Sequence, residues 1–194
     1  MKKIGIAVLS TAALALALPA AAQSINTSAF YAGASIGQSK YNTDCPAPLS
    51  CDDKDTAFKL FGGYSFNQNW AAELGYQDLG KAKFTGPGGT DELKGTAFDL
   101  TAVFSWPFSS TGFSVFGRAG LYTGKLELSG PDHGSKSTTD LTYGLGGGYE
   151  INRNLGLRAE WQRYSKMKAH NDVTGAETDG DVDALSIGIL YRFQ

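Results

Sequence analysis

The chain has 194 residues and a formal net charge of −2, and it is rich in glycine (25 residues) and in aromatic residues (12%). This length is typical of one domain, and the slightly acidic balance argues against nucleic acid as a partner. Beyond the N-terminal segment no stretch reaches the roughly eighteen apolar residues of a membrane helix, so any membrane insertion must use strands.

The N-terminus has the layout of an export signal. Lys2 and Lys3 precede an apolar run from Ile4 to Leu18, and three alanines at 20–22 offer a small-residue cleavage site. We predict that residues 1–22 are a cleavable Sec signal peptide and that residues 23–194 form the mature domain. A membrane anchor is the alternative, but the run is short for a span and lacks a basic stop-transfer flank.

The two cysteines, Cys45 and Cys51, lie close together in a polar segment. In an exported protein such a pair predicts a disulfide that closes a small loop, with a stabilisation on the order of 2 kcal/mol. A metal site is the competing interpretation. It has little support, because the only histidines, His133 and His170, stand in loop-like sequence. We predict no metal and no cofactor.

Segments that alternate between apolar and small or polar residues recur along the mature chain. They predict eight strands, at 30–40, 56–66, 70–79, 96–106, 113–128, 141–151, 155–166 and 185–194. Three connections are short (67–69, 107–112 and 152–154), and the four others, which include 129–139 and 167–182, are longer. The pattern predicts an all-β fold, an eight-stranded antiparallel up-and-down transmembrane β-barrel with both termini on the periplasmic side.

Aromatic residues support this arrangement independently of the alternation. In an up-and-down barrel six of them fall at the end with the short turns, as expected for a girdle at a membrane interface: Phe30, Phe66, Trp70, Trp106, Tyr149 and Phe193. A soluble barrel such as a lipocalin, with its apolar face inward, is the alternative. The export signal and the aromatic positions favour the membrane barrel.

The inward face carries equal numbers of acidic and basic residues. An interior just wide enough for side chains must pair them, because a lone buried charge is costly. We therefore expect a packed polar plug, whose breathing could pass small ions, with Glu73, Glu150 and Arg158 in one cluster near the turn end. The whole inward set is Glu73, Asp99, Glu150 and Glu160 with Lys59, Arg118, Arg158 and Arg192.

Several segments resemble the OmpA transmembrane-domain family: A-E-L-G-Y-Q-D-L-G from Ala72, G-G-G-Y-E from Gly146, L-R-A-E-W-Q from Leu157 and L-S-I-G-I-L-Y-R-F from Leu185. The resemblance implies that Glu73, Glu150 and Arg158 match an internal ion-pair gate, with Arg118 and Glu160 as further lumen charges. Val103 stands where the family has a lysine, which departs from a lysine-switched gate.

The same resemblance implies an integral protein of the Gram-negative outer membrane with a structural role and at most narrow, low-conductance ion passage. Its expected surroundings are lipid, lipopolysaccharide, periplasmic chaperones and the barrel assembly machinery, which would recognise Tyr191 and Phe193 on the closing strand; here Gln194 follows. We expect a monomer. Full-length family members continue into a peptidoglycan-binding domain, and tethering to peptidoglycan is not expected of this chain.

Other functions have weaker support in the sequence. His133-Gly134-Ser135 resembles a deacylase motif, but it follows Gly130-Pro131-Asp132 in a polar segment, and no helix follows the glycines at 144–148 as a nucleotide loop would need. We therefore predict that the protein is not an enzyme. Binding of a surface partner through the longer loops is the main alternative function, with a partner that the sequence does not name.

Overall fold

The computed structural model describes residues 29–42, 50–86, 89–108, 111–129, 134–170, 175 and 177–193. The predicted signal peptide, Cys45 and His133 lie outside the described residues, as does the side chain of Cys51. Among the described residues no helix is long and apolar enough to cross a membrane.

Eight long strands form one closed antiparallel barrel, which confirms the predicted fold class. Each strand pairs with its neighbours in the chain, and the first and last pair along Phe30–Asn42 and Asp181–Phe193 to close the ring. A ninth, three-residue strand, β2 (Ser50–Asp52), pairs only with β4. The long strands are β1 (Ala29–Asn42), β3 (Lys54–Ser65), β4 (Trp70–Gly86), β5 (Gly89–Pro107), β6 (Phe113–Ser129), β7 (Gly134–Glu150), β8 (Leu155–His170) and β9 (Glu177–Phe193).

The connections predicted to be short are short, and two of the three are built by the same Asn-x-Asn chemistry. Asn67 Oδ1 accepts hydrogen bonds from the backbone N–H groups of Asn69 and Trp70, at 2.9 and 2.8 Å. Asn152 Oδ1 does the same for Asn154 and Leu155, at 2.9 and 2.8 Å. An asparagine that bonds its own backbone two residues on favours a tight turn. These turns, with the one at 108–112, define the turn end of the barrel; the opposite end is the loop end.

An apolar band covers the outside of the barrel next to the turn end. On β5 it runs from Phe98 to Trp106, which is about 26 Å along the strand and about 20 Å in height at a tilt of about 40°. Large side chains in it are exposed to more than half their area, for example Leu100 (57%) and Ile187 (67%). The lipocalin-like alternative, which requires an inward apolar face, is therefore wrong for this part of the barrel, where the apolar side chains face outward.

The polarity of the two faces reverses above this band. Toward the loop end the inward side chains form an apolar core, and the outward ones are lysines, aspartates, threonines and serines. Above the band the barrel thus has the arrangement of a water-soluble barrel, with apolar side chains inside and polar ones outside. The members of this upper core are Tyr41, Leu79, Ala82, Leu93, Ala97, Tyr122, Leu126, Tyr164, Met167, Val182 and Ala184.

The expectation of long loops at this end is wrong for three of the four connections, those between β4 and β5, between β6 and β7 and between β8 and β9; most of the first, residues 43–49, lies outside the described residues. Residues 129–139 and 167–182 belong largely to β6, β7, β8 and β9, and His170 is the last residue of β8 rather than a loop residue. One physical reason is a pair of β-bulges, at Asp78/Lys81 and at Tyr164/Met167, which interrupt the alternation. Gly80 (φ 68°) and Lys166 (φ 52°) take the left-handed conformation in these bulges.

Inward glycines make room for the large side chains of the lumen. A Cβ at Gly146 would overlap the Phe116 ring and the Ala159 carbonyl oxygen. At the next residue, the outward Gly147, the nearest atom to such a Cβ is the Ser114 carbonyl oxygen at 3.7 Å, an ordinary contact. Substitutions at these two adjacent positions therefore separate the effect of crowding in the lumen from the effect of losing a glycine in the strand.

Gly146→Ala should lower the free energy of unfolding by about 1–3 kcal/mol, because it overpacks the lumen against a ring and a carbonyl group. Gly147→Ala, the matched control, should change it by less than about 0.5 kcal/mol. Urea titration of the refolded barrel, followed by the mobility of unboiled samples on a gel, measures both. Equal effects of the two substitutions would contradict the described packing.

Candidate functional site: the charged lumen

The lumen opens at the turn end into a cavity of about 80 Å³. Serines at 65, 105 and 114 line it, together with Val103 and Arg192. Arg158 forms its upper boundary, held between two rings: the guanidinium carbon lies 4.8 Å from the centroid of Phe61 and 4.4 Å from that of Phe116. Because a desolvated guanidinium on aromatic faces is attracted to both, this layer closes the lower part of the lumen.

Six charged side chains, three acidic and three basic, meet above this layer. All are at least 92% buried, and they come from β3, β4, β5, β6 and β8. Their formal charges cancel, as the cost of burying unpaired charge requires. The charge cluster consists of Lys59, Glu73, Asp99, Arg118, Arg158 and Glu160.

Arg118 contacts all three acids of the charge cluster, all of which also lie within 4 Å of Lys59 Nζ. Its Nη1 donates to both carboxylate oxygens of Glu160, at 3.1 and 3.0 Å. Its Nη2 donates to Asp99 Oδ1 at 3.1 Å and to Thr101 Oγ1 at 2.7 Å. Glu73 Oε1 lies 2.7 Å from the same Nη2 as an ion pair only, since both N–H groups of that nitrogen are already directed elsewhere.

Glu73 and Lys59 complete the charge cluster. Glu73 Oε2 accepts from Arg158 Nη1 at 2.7 Å and from the Tyr31 hydroxyl at 3.1 Å. Lys59 Nζ donates to Glu160 Oε1 at 3.0 Å and lies 3.9 Å from Glu73 Oε1. Glu73 therefore faces three cations at once, and it has alternative partners within the space of one side-chain rotation.

Neutral polar side chains cap the charge cluster toward the loop end. Gln162 Oε1 accepts from Lys59 Nζ at 2.6 Å, and its Nε2 donates to Thr142 Oγ1 at 2.9 Å. The hydroxyl of Tyr164 lies within hydrogen-bonding distance of Asp99 Oδ2, at 3.2 Å. Tyr164 is fully buried and its ring also belongs to the upper core, so it joins the polar layer to the apolar one.

Glu150 does not belong to this cluster, which corrects its predicted grouping with Glu73 and Arg158. Its side chain is 54% exposed at the turn end, where it pairs with Arg192 at 2.7 Å. The reason is its place as the last residue of β7, where the barrel interior is open to solvent. Val103, the residue at the family's lysine position, faces the cavity below and is 3% exposed.

The aromatic residues predicted for the girdle all lie on the outer surface, and further rings join them. Phe30 packs on Tyr64, Trp70 on Phe104 and Phe113 on Tyr149, with centroids 4.7, 4.9 and 4.6 Å apart. Phe66, Trp106, Tyr191 and Phe193 are exposed at the same end, and the rings of Tyr191 and Phe193 meet edge to face with centroids 5.1 Å apart. A second group, Tyr76 with Phe98 and Tyr143 with Trp161, marks the opposite edge of the apolar band.

Sequence reasoning missed Tyr31, Gln162 and Tyr164 as partners of the charges. Gln162 and Tyr164 continue the inward alternation of Arg158 and Glu160 on β8, so the period of two was the signal that could have found them. The described residues contain no group of three or more His, Cys, Asp or Glu side chains arranged to hold a metal ion.

Comparison with known proteins gives the family. The family model of the outer membrane protein β-barrel domain matches residues 8–193. The chain belongs to this family. Its members are outer-membrane β-barrels, and outer-membrane localisation and the membrane orientation of the apolar band follow from that membership.

Individual relatives of this outer-membrane barrel agree with the assignment. The chain is 29% identical over 205 residues to Outer membrane protein A of Salmonella typhi and 28% identical over 221 residues to Outer membrane protein P5 of Haemophilus influenzae. The matches cover 100% of this chain and 56% and 61% of those proteins, so the chain spans little more than half their length. Neither relative is named for a catalytic activity.

A solved structure shows the same fold. Neisserial surface protein A superposes with a TM-score of 0.61 at 15% identity, over 84% of this chain and 97% of that one. At this identity the likeness concerns the barrel architecture alone.

Replacing Arg118 by methionine should destabilise the barrel by about 3–5 kcal/mol, because it leaves the buried cluster with a net negative charge and its three carboxylates with Lys59 as the one cation that they share. Arg192→Met is the control: it breaks the solvent-exposed pair with Glu150 and should cost less than about 1 kcal/mol. Urea unfolding midpoints in the same detergent compare the two. A small effect of Arg118→Met would show that the charge cluster is not what holds the strands together.

Proposed function

We propose that the barrel serves a structural role in the outer membrane and that its lumen passes at most small ions, at low conductance. The observation that carries this proposal is the charge cluster, whose six side chains fill the cross-section of the lumen with mutual ion pairs. A second layer, the upper core, lies between the charge cluster and the loop end. Solute-sized passage would require both layers to open.

Ion passage through the charge cluster works by exchange of ion-pair partners. Glu73 contacts Arg158 and Arg118, each at 2.7 Å, and Lys59 at 3.9 Å. Release of Arg158 toward the cavity below leaves Glu73 paired with the other two cations. Lys59 and Arg118 thus supply alternative partners in a barrel that has Val103, and not a lysine, at the family's switch position.

Glu73→Gln tests this mechanism, with Glu150→Gln as an isosteric control outside the charge cluster. Without Glu73 the charge cluster carries a net positive charge, and Arg118 and Arg158 lose their shared acceptor. In planar bilayers we expect small conducting events to become several-fold more frequent and anion-selective for Glu73→Gln, and to stay at the wild-type level for Glu150→Gln. Identical recordings for both variants would contradict partner exchange, and large solute-permeable steps in the wild type would contradict the structural role.

We also propose the route by which the barrel reaches the membrane. The N-terminal segment is removed as a Sec signal peptide, and the assembly machinery recognises the outward Tyr191 and Phe193 at the end of β9. The exposure of both rings, 48% and 46%, leaves them available for recognition before lipid covers them. The assembled protein acts as a monomer surrounded by lipid and lipopolysaccharide.

Phe193→Ser should reduce the amount of heat-modifiable, folded protein in the outer membrane of cells, because the recognised ring is lost. Phe30→Ser removes a neighbouring girdle ring that pairs with Phe193 across the barrel seam and serves as the control. Both variants should refold alike in detergent, where no machinery acts. Equal cellular yields of the two variants would contradict recognition of Phe193.

A further inference from the structure

A row of lysines follows the outer edge of the apolar band on five neighbouring strands. Each lies about four residues beyond the last outward apolar residue of its strand, for example Lys40 beyond Ile36 and Lys94 beyond Phe98. Lys81 is one residue farther along because the β4 bulge adds a residue. The lysine row consists of Lys40 on β1, Lys54 on β3, Lys81 on β4, Lys94 on β5 and Lys125 on β6, and all five side chains point outward.

The height of the lysine row matches the head-group region of the membrane. Four residues of a tilted strand rise by about 10 Å, and the polar layer on each side of the hydrocarbon core is about 5–8 Å thick. A lysine side chain reaches across the remaining distance, with its apolar stem along the barrel and its ammonium group at the head groups. The lysine row therefore lies where lipid phosphates are found.

The other side of the barrel has a different charge pattern at this height. Asp179, Asp181 and Asp183 on β9 face the basic residues of β8. Arg163 pairs with Asp183 at 2.7 Å and with Asp181 at 3.5 Å, and Lys168 stands directly opposite Asp179. Arg163 is thus compensated by the protein itself, and Lys168 has an aspartate opposite it.

Within the lysine row, Lys81, Lys94 and Lys125 also have acidic neighbours. Lys81 pairs with Glu92 at 2.7 Å, and this hydrogen bond raises the pKa of Lys81. Lys94 lies 3.6 Å from Asp78, and Lys125 lies 2.5 Å from Glu127. These three positions therefore carry little unbalanced charge.

Lys40 and Lys54 differ from the rest of the row. They stand directly opposite each other on β1 and β3, as Lys81 and Lys94 do on β4 and β5, but unlike those two neither makes an ion pair with any of the described residues. Like charges directly opposite each other destabilise a strand pair. The nearest acid across the other seam, Asp183, is already bound by Arg163 and by Asn42 Nδ2 at 2.7 Å. An external anion between the two ammonium groups would remove the repulsion.

We propose that Lys40 and Lys54 form a binding site for a phosphate group of the phosphorylated glycolipid in the outer leaflet. Two ammonium groups on adjacent strands can hold one phosphate from two sides, with charge-assisted hydrogen bonds. The rest of the row extends the basic surface along the neighbouring strands. The site gives the barrel a preferred lipid on its β1–β3 side, and it is independent of ion passage through the lumen.

The test uses the barrel refolded in phosphatidylcholine vesicles, to which diphosphorylated lipid A or lipid A without phosphates is added. Bound lipid per barrel is measured by native mass spectrometry and by titration. We expect the wild type to retain only the phosphorylated form. K40Q/K54Q should weaken its binding by about 25-fold, because each lysine near an anionic surface contributes a factor of about five. K40R/K54R should keep the binding.

K166Q/K168Q is the matched control, since it removes the same charge from β8, where Asp179 stands opposite Lys168 and Asp181 accepts a hydrogen bond from the backbone N–H of Lys166. It should bind within about twofold of the wild type, and all variants should show the wild-type gel shift on boiling because the lysines are exposed. Wild-type occupancy in K40Q/K54Q, or equal binding of lipid A without phosphates, overturns the proposal. Binding of soluble heparin at these lysines without binding of lipid A overturns the assignment to a lipid.

Discussion

The ion pairing around Arg118 is the interaction on which the rest of the barrel depends. One guanidinium group contacts acids from β4, β5 and β8, and those acids in turn hold Lys59 and Arg158. Because the outer surface faces lipid, its apolar side chains are not buried within the protein, and the charges of the interior must be compensated there. The charge cluster is neutral and pairs all six of its charges, although Glu73 Oε1 and Arg118 Nε make no hydrogen bond within the described residues. It also closes the lumen.

The polarity of the inner and outer faces of the barrel reverses along its axis, within the same continuous strands. Near the turn end the strands place apolar residues outward and charges inward, as lipid requires, and toward the loop end they do the opposite, as water requires. Tyr164 lies at the transition, with its hydroxyl near Asp99 and its ring against Tyr122 in the upper core. The two bulges lie just above this level and shift the phase so that Ala82 and Met167 face inward.

Much of this architecture follows from local sequence. The alternation of apolar and polar residues predicted the strands within the band, and the segments 67–69 and 152–154 predicted two of the turns. The positions that alternation assigned to the inward face included all six charges of the charge cluster. The upper strands could not be found in the same way, because the bulges shift the phase and the polarity reverses, so they resemble polar loops. The separation of Glu150 depends on where β7 ends relative to the mouth of the barrel, which is a property of the closed sheet and not of any one strand.

The upper core has a further consequence for the segments that join the strands at the loop end. The upper core packs the strands together above the apolar band. It therefore separates the connections at the loop end from the part of the barrel that lies in lipid. Foreign peptides grafted between β4 and β5, where only residues 87 and 88 separate the strands, would be held clear of the bilayer. The barrel thus offers a compact scaffold for display on a bacterial surface.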